Sequence, residues 1–317
     1  MKILLYYPFV EEDVAEFRRI AAAQGHEVIH ASSDEEALAV APEIEVILGR
    51  FPESVCAAAA NLRWIQSFSA GMDKFLFPAM AERDEVMLSN MAGMYAPQGA
   101  EHAWAFLLAL ARGLTQAREQ QKQHQWKAGS VVEITGMTLG IIGMGGFGME
   151  MVKRAAGYNM TILAVDPMRT DIPPGVAELK PASKENIHSL LRRSDAVMMA
   201  CPRTPETYHL ISTEELALMK PTAYLINVTR GGIIDEDALV AALEAGEIAG
   251  AALDVTEKEP LPAESSLWDA PNLLLTPHRA GASQHRPQVI VRFFQEQLQR
   301  YLTGERPRNV IDKRRGY

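Results

Sequence analysis

A chain of 317 residues, 48% hydrophobic and 22% charged, has the composition of a soluble globular protein and the length for two domains with ample cores. Its formal net charge of −9 argues against nucleic-acid binding, because phosphate-backbone binders carry basic stripes and this chain has only the modest Lys313-Arg314-Arg315 cluster. The two cysteines, Cys56 and Cys201, lie far apart and match no metal or redox spacing, which fits a reducing, cytoplasmic setting.

The opening residues, MKILLYYPFVEED, lack the apolar core and small-residue cleavage site of a signal peptide and read as a strand over Lys2–Tyr6. A helix over Asp13–Ala23, stopped by Gly25, and a strand over Glu27–His30 follow. Helix Asp34–Val40, strand Glu45–Leu48, helix Glu53–Ala60 and strand Arg63–Ser67 continue an alternation that predicts a parallel sheet covered on both faces. The small-residue turn from Ser67 to Asp73 then falls at a strand's C-terminal end. Exposed N–H groups there suit a carboxylate, although a plain βα turn accounts for the residues equally well. One long helix is expected over Gly99–Gln121. Its first half is apolar around much of its girth, which requires cover from a second domain or a second subunit, whereas Gln116–Gln125 is polar. The stretch Ala103–Ala111 is too short to span a bilayer.

The richest pattern is Thr138–Pro167, TLGIIGMGGFGMEMVKRAAGYNMTILAVDP. A short apolar strand runs directly into Gly143-Met144-Gly145-Gly146-Phe147-Gly148, then a helix, then the strand Thr161–Val165 with Asp166 at its end. Gly143 suits a tight turn, Gly145 close approach to a pyrophosphate, and Gly148 tight helix–strand packing. Asp166 can accept hydrogen bonds from both ribose hydroxyls and repels a 2′-phosphate, so the pattern predicts a dinucleotide site and favours NAD over NADP. Arg169 reads as a solvated loop charge, although a guanidinium there could pair with a phosphate.

Further strands are expected over Ala196–Ala200, Tyr224–Val228, Ala251–Val255 and Leu273–Thr276. Ser212 and Glu215 form a capping box before a helix over Leu216–Lys220, and Asp235 caps a helix over Asp237–Ala245 that Gly246 ends. A last helix over Pro287–Leu302 carries the stripe Ile290, Phe293, Phe294, Leu298 and Tyr301.

Ligands of open parallel sheets bind beyond the carboxyl ends of the strands. After the last three strands come Thr229-Arg230-Gly231-Gly232, Thr256-Glu257-Lys258-Glu259-Pro260 and Pro277-His278-Arg279-Ala280-Gly281. Taken singly, Glu259 reads as a loop carboxylate, Arg230 as a surface charge and His278 as a structural histidine. Their joint placement on one rim favours catalysis. His26, His30, His102, His124, His188, His209 and His285 show no ligand spacing, so no metal is expected, and Glu101-His102 reads as a structural opening of the long helix.

The segments IQSFSAGMD (65–73), AEHAWAFLLALAR (100–112), Gly140–Gly148, TPET (204–207), LINVTRGGIIDEDAL (225–239), GAALDVTEKEP (250–260) and LLTPHRAGAS (274–283) resemble the D-isomer-specific 2-hydroxyacid dehydrogenases over nearly the whole chain. The closing residues 310–317 are similar to the ending of a branch that includes glyoxylate/hydroxypyruvate reductases. The resemblance implies an α/β architecture of two doubly wound parallel-sheet domains: a Rossmann NAD-binding domain (99–286) inserted in a flavodoxin-like substrate domain (1–98 and 287–317). It implies interconversion of small 2-keto acids and D-2-hydroxy acids with NAD(H), in which His278 is the acid/base, Glu259 its partner and Arg230 the substrate clamp. It further implies that Ala70 and Gly71 give N–H groups to the substrate and that Asp254 bonds the nicotinamide carboxamide. Gly146, Phe147, Cys201, Pro202, Val228, Thr229, Arg230, His278 and Gly281 would join Gly143, Gly145, Gly148 and Asp166 around the cofactor. A homodimer built on the nucleotide domains and the long helix is implied, with no nucleic-acid, membrane or metal partner.

The chemistry supports these roles independently. Reducing a keto acid needs a proton on the carbonyl oxygen, which an imidazolium can give; a carboxylate alongside favours that charged form, and an arginine grips a carboxylate with two prongs. Arg203 stands where the family usually has an apolar residue, Thr256 replaces a common aromatic and Gly146 a larger residue, departures that bear on cofactor affinity. Phe51, Met72 and Tyr95 are expected to shape the substrate pocket. An alternative is an NAD-sensing binding protein of the corepressor type, whose members keep the same three side chains.

Overall fold

The computed structural model describes residues 1–317 apart from the side chain of Ala79. The chain divides into two compact units, Met1–Tyr95 with Ser283–Tyr317, and Ala96–Ala282.

In the first unit, β1 (Lys2–Tyr6), β2 (Glu27–His30), β3 (Val46–Gly49), β4 (Trp64–Ser67) and β5 (Met87–Ser89) form a parallel sheet in the order β2-β1-β3-β4-β5. β3 and β4 are buried along their whole length, as strands covered by helices on both faces must be. One face packs on Phe51, Ile65 and Leu88, the other on Phe17, Trp64 and Phe294. Phe294 comes from the helix Arg286–Leu302, whose Ile290, Phe293 and Leu298 share the cluster with Val14 and Phe17 of the helix Glu11–Ala22. The fully buried Gln297 donates to the Arg308 carbonyl at 2.7 Å and so ties down the C-terminal segment. The sequence reading has no counterpart for β5, whose three residues are too few to show a period.

In the second unit, β6 (Thr138–Ile142), β7 (Thr161–Val165), β8 (Glu178–Lys180), β9 (Ala196–Met199), β10 (Tyr224–Asn227), β11 (Gly250–Leu253) and β12 (Leu273–Leu275) form a parallel sheet in the order β12-β11-β10-β9-β6-β7-β8. The order reverses between β6 and β9, which makes the carboxyl end of β6 the switch point where a doubly wound sheet opens a crevice. The edge strand β8 and the helix Lys184–Arg193 escape the sequence reading, although Ser183 supplies a side-chain cap by accepting from Asn186 N at 3.2 Å.

The expected helix over Gly99–Gln121 is two helices, Ala96–Ala111 and Leu114–Lys122. Gly113 at φ +62° takes the left-handed conformation that ends a helix. The break separates two environments. Ala100, Ala103 and Leu107 are buried in the second unit's core, whereas the second helix buries no residue. No helix among the described residues is long and apolar enough to cross a membrane.

Candidate active site

The glycine loop between β6 and the helix Gly146–Ala155 has the shape its residues dictate. Gly143 sits at φ +103°, and a Cβ there would lie 2.6 Å from the Ala200 carbonyl oxygen; one on Gly148 would lie 2.3 Å from that of Gly143. Both positions therefore need glycine. Gly145 caps the helix, and nothing lies within 4 Å of where its Cβ would be. The helix start has no side-chain cap and a phosphate can approach the backbone at Gly145, so these residues fit a bound dinucleotide. Phe147 packs its ring against Gly99, 2.1 Å from a Cβ built there.

Asp166, expected to hold the ribose, also organises the loop. Its Oδ2 accepts from Met144 N at 2.7 Å, and its Oδ1 from Met168 N and Arg169 N, both at 2.8 Å. Arg169 is more than a solvated charge: its guanidinium pairs with Asp171 at 2.9 Å and donates to the Met144 carbonyl at 3.2 Å, against the glycine loop. Cys201 is buried, and burial pushes its thiol up to about 12, so it packs rather than reacts. Val228 is buried, Thr229 donates to Asn227 Oδ1, and Pro202 accepts from Thr207 Oγ1. Arg203 lies over the Tyr208 ring at 5.2 Å. Gly281 accepts from Gln98 Nε2 at 3.4 Å, which brings residues near the unit's two ends side by side.

Arg230, Glu259 and His278 follow β10, β11 and β12, which are neighbours in the sheet. The Arg230 turn is tied by Asn227 Nδ2 donating to the Arg230 carbonyl at 2.8 Å, while Arg230 Nη1 donates to the Thr229 carbonyl at 2.7 Å. This turn rests directly on the next loop, since a Cβ on Gly231 would come within 1.9 Å of the Thr256 carbonyl oxygen. Thr256 N donates to Glu259 Oε1 at 3.4 Å, and both Glu259 oxygens lie 2.9 Å from His278 Nδ1. A carboxylate only accepts, so Nδ1 carries a proton toward Glu259 and Nε2 is left for chemistry. With 46% of its side chain exposed, the imidazole is accessible to a substrate.

His278 has φ +47°, a left-handed conformation that costs a residue with a Cβ on the order of 1 kcal/mol. Asp254 holds it there. The Asp254 carbonyl accepts from His278 N at 2.7 Å, and its carboxylate accepts from Arg279 N at 2.9 Å and Ala280 N at 2.7 Å. The carboxylate, 1% exposed, also accepts from Thr276 Oγ1 at 2.5 Å. The sequence reading saw Asp254 only as a cofactor ligand and missed Thr276.

In the first unit, the loop after β4 ties back its carbonyls. Ala70 accepts from Asn90 Nδ2 at 2.7 Å and Gly71 from Ser69 Oγ at 2.9 Å. Among the described residues the N–H groups of Ala70 and Gly71 have no acceptor, as donors awaiting a carboxylate would not. Phe51 and Met72, expected to shape the substrate pocket, are instead core residues at 2% and 1% exposure, while Tyr95 donates to the Phe68 carbonyl at 2.7 Å. The fold brings together one set of metal-ligating types that spacing could not reveal, His188 with Glu214 and Glu215. These already pair, His188 with Glu215 at 2.8 Å and Glu214 with Lys184 at 2.6 Å.

A parallel seven-stranded sheet with a glycine loop at its switch point is a dinucleotide-binding fold. Residues 104–280 match the family described as D-isomer specific 2-hydroxyacid dehydrogenase, NAD binding domain. The chain is 34% identical to the glyoxylate reductase of Thermococcus gammatolerans over 85% of its own length and 82% of that protein. It is 33% identical over 98% of its length to the D-3-phosphoglycerate dehydrogenase of Methanocaldococcus jannaschii, but spans only 59% of that longer protein. Among solved structures, a D-isomer specific 2-hydroxyacid dehydrogenase family protein from Aeromonas salmonicida is similar with a TM-score of 0.83 at 29% identity, over 98% of both chains. An NADPH-dependent glyoxylate/hydroxypyruvate reductase from Sinorhizobium meliloti, in complex with NADP and sulfate, is similar with a TM-score of 0.81 at 26% identity, over 100% of this chain and 99% of that one. The chain belongs to the D-isomer specific 2-hydroxyacid dehydrogenase family.

Proposed function

We propose that this protein is an oxidoreductase that interconverts small 2-keto acids of the glyoxylate, hydroxypyruvate or pyruvate type with D-2-hydroxy acids, using NAD(H), with His278 as acid/base. The observation that carries this reading is the His278–Glu259 pair on the same rim as Arg230, three side chains on three successive strand ends of a dinucleotide-binding sheet. A bound reduced nicotinamide supplies the hydride that the carbonyl carbon needs. His278 gives the matching proton from Nε2 to the carbonyl oxygen, and Glu259 at Nδ1 orients the ring. Arg230 grips the substrate carboxylate, and the unpaired amides of Ala70 and Gly71 are donors of the kind that carboxylate takes.

For the cofactor, Gly143, Gly145, Gly146, Phe147 and Gly148 take the pyrophosphate end and Asp166 the ribose, which favours NAD. Cys201, Pro202, Val228, Thr229 and Gly281 line the remainder, while Asp254, whose buried carboxylate is taken up by Thr276, Arg279 and Ala280, shapes that wall from behind. Two observations favour a share for NADP: Arg169 lies beside Asp166 against the glycine loop, and the S. meliloti neighbour is NADPH-dependent. A homodimer in a cytoplasmic setting completes the reading.

Turnover of a 2-keto acid panel with NADH and with NADPH tests it. Wild type reduces at least one of glyoxylate, hydroxypyruvate and pyruvate, and His278→Ala loses on the order of a thousandfold in kcat while still binding NADH. Absence of turnover with tight NADH binding favours the sensing protein instead, and an unimpaired His278→Ala removes the acid role.

A further inference from the structure

His102 lies on the Ala96–Ala111 helix, 174 residues from Thr276, yet its Nε2 is 2.9 Å from Thr276 Oγ1. Thr276 Oγ1 in turn donates to Asp254 Oδ1 at 2.5 Å. A hydroxyl has one hydrogen and a carboxylate has none, so the Thr276 hydrogen is committed to Asp254. The hydroxyl therefore accepts from an Nε2–H of His102, and the donor chain runs from His102 through Thr276 to Asp254.

Asp254 is the group that clamps the strained His278 backbone, through its carbonyl on one side and its carboxylate on the other. Whatever sets the position of that carboxylate also sets the five residues from Thr276 to Ala280. The His102 ring is itself fixed, edge-on to Phe106 with centroids 4.5 Å apart at 74°. Burial holds its imidazole below the ordinary histidine range; nearby Arg279 adds to this and Asp254 opposes it. The neutral ring with its proton on Nε2 is thus the form that makes the contact.

We propose that His102 is a positioning residue for the acid/base: by donating to Thr276 it fixes the Asp254 carboxylate, and with it the segment that carries His278. The inference rests on the reading of His278 as the acid/base. It requires an N–H donor at the place of Nε2, so glutamine, whose amide reaches as far, can substitute, whereas leucine of similar bulk cannot.

The test compares wild type, His102→Gln, His102→Leu, Thr276→Val, the double variant H102L/T276V and His278→Ala. The measurements are kcat and KM for glyoxylate and hydroxypyruvate with NADH, the NADH Kd by fluorescence titration, and Tm. His102→Leu should lower kcat about tenfold or more, since small misplacements of a reacting group are costly, while KM and the NADH Kd change less than about threefold. His102→Gln should stay within about twofold of wild type. The double variant should be no more than about twofold slower than Thr276→Val, because both substitutions break one chain. Should His102→Leu not fold, His102→Asn takes its place, with an amide that stops short of Thr276 and the same expected loss. Full activity in His102→Leu or His102→Asn, or failure of glutamine to restore the rate, overturns the inference while a dead His278→Ala leaves the acid/base reading standing. A fully active His278→Ala instead overturns that reading, and the inference with it.

Discussion

Glu259 faces a single imidazole nitrogen with both of its oxygens, so the negative charge and the shape of this side chain can be separated. Glu259→Gln keeps the shape and lets the ring turn or take the other tautomer. A fall in kcat on the order of a hundredfold is expected, with the NADH Kd within about threefold, measured by steady-state kinetics and fluorescence titration. An undiminished kcat would mean that the pairing is structural only. His102 makes a different prediction, about stability. Because burial lowers its proton affinity in the folded chain, it binds its proton more readily when unfolded. Its neutral contacts therefore contribute stability above the ordinary histidine value of about 6.5, and that contribution falls away as pH drops from there through the lower folded value. Urea melts at about pH 7.5 and 5 should show wild type losing more stability on acidification than His102→Gln; parallel losses would exclude the effect. The difference between these two histidines also explains what the sequence reveals. His278 is announced by its neighbours in the chain, whereas the partners of His102 come from a different strand end and are invisible until the sheet assembles.

At the level of loops and helices, contact between adjacent turns does the positioning. Gly231→Ala forces a methyl group onto the Thr256 carbonyl, where an approach of 1.9 Å leaves no room, and so pushes the Arg230 turn off the loop that carries Glu259. The expected outcome is a loss of about 2 kcal/mol or more in stability, as strain in a tightly packed region costs, together with a raised KM for the keto acid. A variant with wild-type KM would show that the two turns need not touch. Most elements were readable beforehand, since β-branched strands, caps such as Asp235, which accepts from Ala238 N at 3.1 Å, and glycine stops such as Gly246 are local signals. The misses have physical causes. β5 and β8 are three residues each, and the break at Gly113 lay inside a pattern whose polar and apolar halves ran on without a proline.

For the molecule as a whole, the doubly wound class of both sheets came from the resemblance rather than from periodicity, and the strand orders came only with the structure, because pairing between distant strands leaves no local mark. The apolar girth of residues 100–111 asked for extra cover. Trp126 is fully exposed, and Leu114 and Val131 are 56% and 54% exposed in the segment that follows. Lone apolar residues are ordinary on a surface, but three in one short stretch favour a partner. Light scattering should report a dimer for wild type, and Trp126→Ser combined with Leu114→Ser should shift it toward monomer; an unchanged mass would move the interface elsewhere. The Gln98–Gly281 contact has a practical corollary. Entry and exit of the 96–282 insert adjoin, so that portion can be excised as a cassette, its ends joined by a few glycines or opened at a new point. Such a cassette keeps Arg230, Glu259 and His278 but lacks the Ala70–Gly71 loop, so it reports nucleotide affinity without the first unit.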